Sequence, residues 1–241
     1  MLLDDIDAAI STDNGSLVLH YQPLKKLPDL DKPPLFFEAL VRMKSGKRIV
    51  PASNFITAVL HNPSLAMRLD EWVLRSVAAQ MRTDDFRYAV NVTPASLHQP
   101  EFLHLVKDIF EDIPKNRLVI EVIETHQLHE EAIACVRALN ERFCTYLDDV
   151  GEGFSNLRAI ANLSVSGLKI HGRYISRMSA YKKHRAIVGG IFDICRNVQL
   201  ECVCEWVETP LEVEAVSLMA AHYPFLKLYL QGYEIGRPEA R

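Results

Sequence analysis

A modified (β/α)8 barrel of the α/β class, TIM-like in outline, is the fold this chain predicts, and three observations predict it. Short apolar runs alternate with longer segments whose apolar residues recur every three or four positions, as parallel strands joined by helical crossovers do. The runs number eight, which favours a closed barrel over a doubly wound sheet. The 241 residues suit one such barrel, and no Gly/Ser-rich linker, low-complexity tract or charge block marks a boundary, so residues 1–241 are read as a single domain.

Taken in order, Asp4–Ile10 reads as a short helix ahead of the first strand. Strands are expected at Leu17–Tyr21, Leu35–Val41, Tyr88–Val92, Leu118–Val122, Phe143–Leu147, Gly167–Ile170, Leu200–Cys204 and Leu226–Leu230. Amphipathic stretches such as Leu69–Gln80, Pro100–Asp112, Glu131–Glu141 and His184–Arg196 supply the crossovers. The first two strands are joined instead by Pro23–Pro34, rich in proline and lysine. That spacing permits a hairpin, so the first strand can run antiparallel to its neighbours, which is why the barrel is called modified.

Composition narrows the function. A formal net charge of −4 argues against a broad surface for duplex nucleic acid or anionic lipid. No apolar run approaches the roughly 20 residues that span a membrane. The opening MLLDDIDAAI carries acids where an export signal carries bases, so a cytoplasmic location is expected. Five cysteines without a C-x-x-C pair read as small buried hydrophobes rather than a zinc site or disulfides.

The chemistry lies at the strand ends. Glu38 falls within the second expected strand, Asn91 ends the third, and Glu121 and Glu124 end the fourth. Asp148 and Asp149 end the fifth, Lys169 lies on the sixth, Glu205 and Glu208 follow the seventh, and Gln231 follows the eighth. The C-terminal strand ends of a barrel converge on one rim, where active sites are built. An acid after a strand often only caps the next helix. Capping does not explain Glu38, Asn91 and Glu121, which are embedded in apolar runs. Carboxylates gathered without compensation raise one another's pKa values, a conflict that divalent cations resolve. All-oxygen ligands suit Mg²⁺ or Mn²⁺ better than zinc. Adjacent Asp148 and Asp149 could serve two ions about 3.5–4 Å apart, the spacing of two-metal phosphoryl chemistry.

These segments resemble, in order and over essentially the whole chain, the EAL domain of bacterial cyclic di-GMP signalling. Tyr21-Gln22-Pro23 is similar to the family's first strand, and Glu38-Ala39-Leu40-Val41-Arg42 to its name-giving motif. Asn91-Val92-Thr93, Glu121-Val122-Ile123-Glu124-Thr125 and the run from Asp148 to Ser155 resemble the next three motifs. Lys169-Ile170-His171, Glu205-Trp206-Val207-Glu208-Thr209 and Gln231-Gly232-Tyr233 resemble the last three. The resemblance implies hydrolysis of cyclic di-GMP to the linear dinucleotide pGpG with two Mg²⁺ or Mn²⁺ ions. Glu38, Asn91, Glu121, Asp148 and Asp149 would be the metal ligands. Lys169 would hold and orient the attacking water, and Glu205 is the candidate general base. Gln22 and Arg42 would contact the dinucleotide. Glu124 would steady the loop after the fifth strand, while Glu208 and Gln231 complete the rim. The resemblance also implies a homodimer formed around the loops after the fifth and sixth strands.

Two residues depart from the family pattern, which usually has aspartate at position 171 and glycine at 206. His171 can replace a carboxylate's hydrogen bond when neutral, but would repel metals when protonated. The Trp206 ring, if aimed into the site, would stack on a guanine or crowd the metals; it is expected instead against neighbouring apolar groups. The alternative function is a catalytically inactive EAL-like sensor of cyclic di-GMP or a protein-binding module. Degenerate domains of that kind usually lose several metal ligands, and this chain retains them.

Overall fold

The computed structural model describes residues 2–12, 14–123, 129–151 and 156–241. Helix α1 (Leu2–Thr12) precedes strands β1 (Leu17–Lys26), β2 (Phe36–Ser45) and β3 (Arg48–Pro51). There follow α2 (Ile56–Leu60), α3 (Pro63–Met81), β4 (Arg87–Val92), α4 (Pro94–Leu97), α5 (Phe102–Ile109) and β5 (Leu118–Ile123). Then come α6 (Glu130–Arg142), β6 (Cys144–Val150), α7 (Asn156–Asn162), β7 (Gly167–Ile170) and α8 (Gly172–Ile175). The chain ends with α9 (Lys182–Val198), β8 (Glu201–Cys204), α10 (Pro210–Ala220) and β9 (Leu228–Gln231). Strands β2 and β4 to β9 pair in parallel in chain order, and β1 closes the ring by pairing antiparallel with both β2 and β9. The barrel and its antiparallel first strand are as expected from the sequence.

Two details differ from the expectation. Strand β1 continues past Tyr21 to Lys26, with Pro23 inside it. Its ladder to β9 begins only at Leu24, so Pro23 sits where one edge needs no N–H donor, a position a strand tolerates. Strand β3 was not expected. It is four residues long, mostly exposed, and pairs with β2 over Arg42–Ser45, beyond the stretch that pairs with β4. So short a segment shows no alternation to read.

The period of two along each strand builds the interior in layers. Leu24, Phe36, Ala89, Val119, Tyr146 and Val203 form the core inside the ring, with Cys144 and Tyr229 against it. Gly167 completes this layer by leaving space, because a Cβ there would lie 2.6 Å from the Tyr146 ring. Residues of the opposite parity, among them Val90, Ile120, Leu168 and Leu230, lie in the larger core under the helices. Cys195, Cys202 and Cys204 are buried and all five thiols are free, so the sequence reading of the cysteines as buried hydrophobes holds for three of them. Among the described residues no helix is long and apolar enough to cross a membrane.

Candidate active site

Two residues beyond the apolar layer, on the same parity, stand Glu38, Asn91, Glu121, Asp148, Lys169, Glu205 and Gln231; Gln22 joins them from antiparallel β1. The register enforces this. Gln22 is paired with Glu38 across β1 and β2, and Asn91 with Glu121 across β4 and β5. The alternation that fills the barrel floor with hydrocarbon therefore fills its upper layer with polar groups.

Lys169 is at the centre and 1% exposed. Its Nζ lies 2.8 Å from Glu121 Oε2, 3.0 Å from Glu205 Oε1, and 3.3 Å from both Glu38 Oε2 and Asp148 Oδ1. Asn91 Nδ2 donates to Glu38 Oε1 at 2.6 Å, and Gln231 Nε2 donates to Glu38 Oε2 and, at 3.3 Å, to Gln22 Oε1. Gln22 in turn donates to the Gly236 carbonyl at 3.2 Å.

Asp148 and Asp149 raise a geometric problem, because consecutive residues of a regular strand face opposite sides. A bulge solves it. Leu147 pairs with Leu168 and Val150 with Ile170, so β6 carries one residue more than β7 over this stretch. Asp149 occupies the left-handed region, φ 55. The extra residue re-aims the strand, and single oxygens of Asp148, Asp149 and Glu205 all lie within 4.8 Å of one another.

One ammonium faces four carboxylates here, and the surplus negative charge shows in the titration of Glu121 and Glu205. Burial pushes Glu121 well above the ordinary carboxylate range, helped by Glu38 and Asp148, and Lys169 only partly opposes this. Burial likewise pushes Glu205 up to about 8, against Lys169 and with Asp148 and Glu38 adding to it. Burial also works against the charge on Glu38, yet Lys169 and the hydrogen bonds from Gln231 and Asn91 outweigh it and hold this carboxyl low. Lys169 is itself buried, but its four acidic neighbours raise it well above the usual lysine value. This donor set fits a hard divalent cation. Among the described residues, buried Glu121 Oε1 and Glu205 Oε2 accept no hydrogen bond, and Asp148 Oδ1 has the Lys169 ammonium at 3.3 Å. Unmatched, inward-facing carboxylate oxygens in surplus are what such an ion needs.

The remaining expected residues divide. Arg42 lies on β2 four residues past Glu38 and so shares its face; it is half-buried and donates to the Val41 carbonyl at 2.9 Å. Burial lowers the pKa of its guanidinium, against the influence of Glu38 and Tyr233. Glu208 is not brought to the Lys169 cluster. It is exposed, and its N–H donates to Glu212 Oε2 at 2.6 Å beside the Thr209–Glu212 capping box that starts α10. The acid after β8 is thus at a helix start, where negative charge is favoured. Glu124 lies outside the described residues, as does the segment 152–155. Trp206 is 54% exposed, and its ring lies against the His171 ring, with centroids 4.4 Å apart.

One positioning group was missed. Asp70, buried on α3, accepts from the Thr93 N–H at 2.8 Å, the Thr93 hydroxyl at 2.7 Å and the Ser96 hydroxyl at 2.6 Å. It fixes the turn two residues after Asn91. The available signal was an acid in the apolar stripe Leu69–Val73–Leu74–Val77 of a helix, where a charge has to have partners.

An acidic, lysine-centred layer at the C-terminal rim of a barrel is a cluster that could hold a metal ion, at the end of the fold where active sites are built, and comparison with known proteins gives the family. The family model described as EAL domain matches residues 4–238, and the chain belongs to that family. An uncharacterized signaling protein of Caulobacter vibrioides is 31% identical over 235 residues, covering 93% of this chain and 28% of the relative. The cyclic di-GMP phosphodiesterase PdeB of Shewanella oneidensis is 28% identical, covering 96% of this chain and 27% of the relative. The chain thus spans about a quarter of the length of these curated relatives. A solved structure of the PaMucR phosphodiesterase in complex with c-di-GMP superposes with a TM-score of 0.85 at 26% identity, covering 99% of this chain and 97% of that one.

Proposed function

We propose that this chain is a metal-dependent phosphodiesterase domain that hydrolyses one ester bond of cyclic di-GMP to give linear pGpG, in bacterial second-messenger signalling. The observation that carries the reading is the buried layer in which four carboxylates share one ammonium while, among the described residues, Glu121 Oε1 and Glu205 Oε2 accept no hydrogen bond. Residues 1–241 act as one EAL-type domain in this reading. Glu38, Asn91, Glu121, Asp148 and Asp149 would hold two Mg²⁺ or Mn²⁺ ions. Such ions supply Lewis acidity toward phosphoryl oxygens and lower the pKa of water.

The chain's own groups do the rest. Lys169, held charged by its neighbours, orients the attacking water and offsets negative charge as it develops. Glu205 accepts a proton as general base, a reading that Lys169 Nζ, 3.0 Å from its Oε1, supports. Arg42 presents a planar fork to a phosphate at the edge of the layer, and Gln22 contacts the dinucleotide beside Gln231. A homodimer formed around the loops after β6 and β7 belongs to the same proposal. The retained ligand set favours the enzyme over a sensor that binds without turnover.

The test is to incubate the purified chain with cyclic di-GMP and resolve the products. Mg²⁺ or Mn²⁺ should support formation of pGpG. Ca²⁺ should support it poorly, because its coordination is longer and looser. Full turnover after exhaustive chelation, or binding without turnover in either metal, would overturn the reading.

A further inference from the structure

Strand β2 does not stop at the rim. Its parallel ladder to β4 ends at Ala39, and from Arg42 onward it pairs with β3, so residues 42–51 rise as a hairpin beyond the acidic layer. Gly46, at φ 61, opens the two-residue turn. The Lys44 N–H donates to the Ser16 carbonyl at 2.7 Å, which ties the rising strand on its other side.

The two faces of this hairpin differ. Met43 is buried in the core that also holds Phe55 and Leu69, and its partner Val50 packs against that core. The other face carries Glu38, Leu40, Arg42 and Lys44 in steps of two, passing from buried through half-buried to exposed. Lys44 pairs with Ile49, which is 44% exposed. The open face is thus the one that continues the Glu38 layer. Among the described residues no acid pairs with the Lys44 ammonium.

Arg42 stands about 13 Å along the strand from Glu38, and Lys44 about 7 Å further. Cyclic di-GMP carries two phosphodiesters, and only the one being cleaved belongs in the acidic layer. We propose that Lys44 is a second substrate-binding cation, which with Arg42 takes the phosphodiester that is not cleaved. The inference rests on the function proposed above. Four carboxylates around one ammonium make the rim a poor host for a dianion, and two cations on the rising face offset that. A ligand with a single phosphate gains nothing from Lys44, so the residue selects for dinucleotides. Arg48 supplies an internal control: it is also exposed and cationic on the same hairpin, but pairs with Ser45 on the Met43 face.

The experiment compares Lys44→Gln with Arg48→Gln, which change the net charge identically. Turnover of cyclic di-GMP is measured in Mg²⁺, and affinity calorimetrically in Ca²⁺. Lys44→Gln should raise KM and weaken affinity about fivefold, the upper range of a solvent-exposed charge pair, and the loss should shrink at high salt. Lys44→Arg should restore both. Arg48→Gln should stay within about twofold of native, the residue of long-range attraction alone. Turnover of bis(p-nitrophenyl) phosphate in Mn²⁺, a diester without a second phosphate, should not distinguish Lys44→Gln from the native chain. Equal losses in the two variants would make the hairpin a diffuse charge and overturn the proposal. An equal loss with the single-phosphate diester overturns it as well, as do native KM and affinity in Lys44→Gln. A native chain that neither binds nor cleaves cyclic di-GMP overturns the function itself, a failure seen before any substitution is made.

Discussion

The two ends of this barrel both bury charge, and they do so with opposite balance. At the N-terminal end Arg87 Nη1 meets Glu201 Oε2 at 2.6 Å, Lys227 reaches Glu201 Oε1 at 3.3 Å, and the Tyr146 hydroxyl bonds the same carboxylate. The Arg87 guanidinium lies over Phe36 and Tyr146, 4.7 and 5.5 Å from their centroids. Every charge there has a partner of opposite sign. At the C-terminal rim one lysine faces four carboxylates. Between the two ends stands a layer of hydrocarbon built by the same strands. Glu201 and Glu205, four residues apart on and just beyond β8, therefore experience opposite fields: one is held by cations, and the other sits among carboxylates.

The largest effect should come from emptying the rim. Asp148→Ala should lower turnover of cyclic di-GMP by more than about 100-fold, since even groups one step behind a ligand are worth 10–100-fold. The unfolding temperature in metal-free buffer should hold or rise, because the substitution relieves repulsion around Glu121 and Glu205. Product analysis and thermal unfolding on one preparation check both halves. A variant that loses activity because it unfolds would erase the contrast between the ends.

The opposite signature is expected at the base. Glu201→Ala strands Arg87 between two aromatic rings without its counter-ion, and removing one partner of a buried pair costs about 3 kcal/mol or more. Arg87 and Glu201 are 15% and 16% exposed, so solvent screens the loss only slightly. Denaturant unfolding measures the cost. Turnover per folded molecule should change little, because the Tyr146 layer separates this pair from Lys169.

The parity of the strands was the legible part. Apolar runs marked each strand of the ring within a few residues, and the polar residues embedded in them marked the site. What could not be read was whatever depends on neighbours distant in sequence. The facing of adjacent Asp148 and Asp149 depends on a bulge whose extra residue is defined only against β7. Glu208 looked like another rim acid, yet Thr209 and Glu212 form a capping box that places it at the start of α10. That motif was written in the sequence and was outweighed by the pattern of strand-end acids. Asp70 showed nothing but an acid in an apolar stripe, and its role depends on Thr93 and Ser96 across the fold. The family's glycine at 206 becomes intelligible only from the left-handed backbone that Trp206 adopts.

The smallest expected effect, and the sharpest test of the comparison, is the pH dependence of stability. At the rim, burial raises Glu205 from 4.5 to about 8. The folded chain then holds a proton that the unfolded chain has released, so this group's stability is present at low pH and lost as pH rises from about 4.5 to about 8. At the base, burial works against the Glu201 charge, but Arg87, Tyr146 and Lys227 outweigh it and depress the carboxyl. Its contribution has the reverse sign: present above about 4.5 and lost as pH falls through the depressed value. In metal-free buffer the native unfolding temperature should decline by a few degrees from pH 5 to pH 8, and Glu205→Gln should flatten that decline. Saturating Mg²⁺ should flatten it too, because an ion bound by the carboxylates favours their charged forms. Glu201→Gln should leave the decline intact and remove part of the loss below pH 4.5. A native curve that rises from pH 5 to pH 8 without metal would show that the rim carries no surplus charge, and the distinction between the two ends would fail.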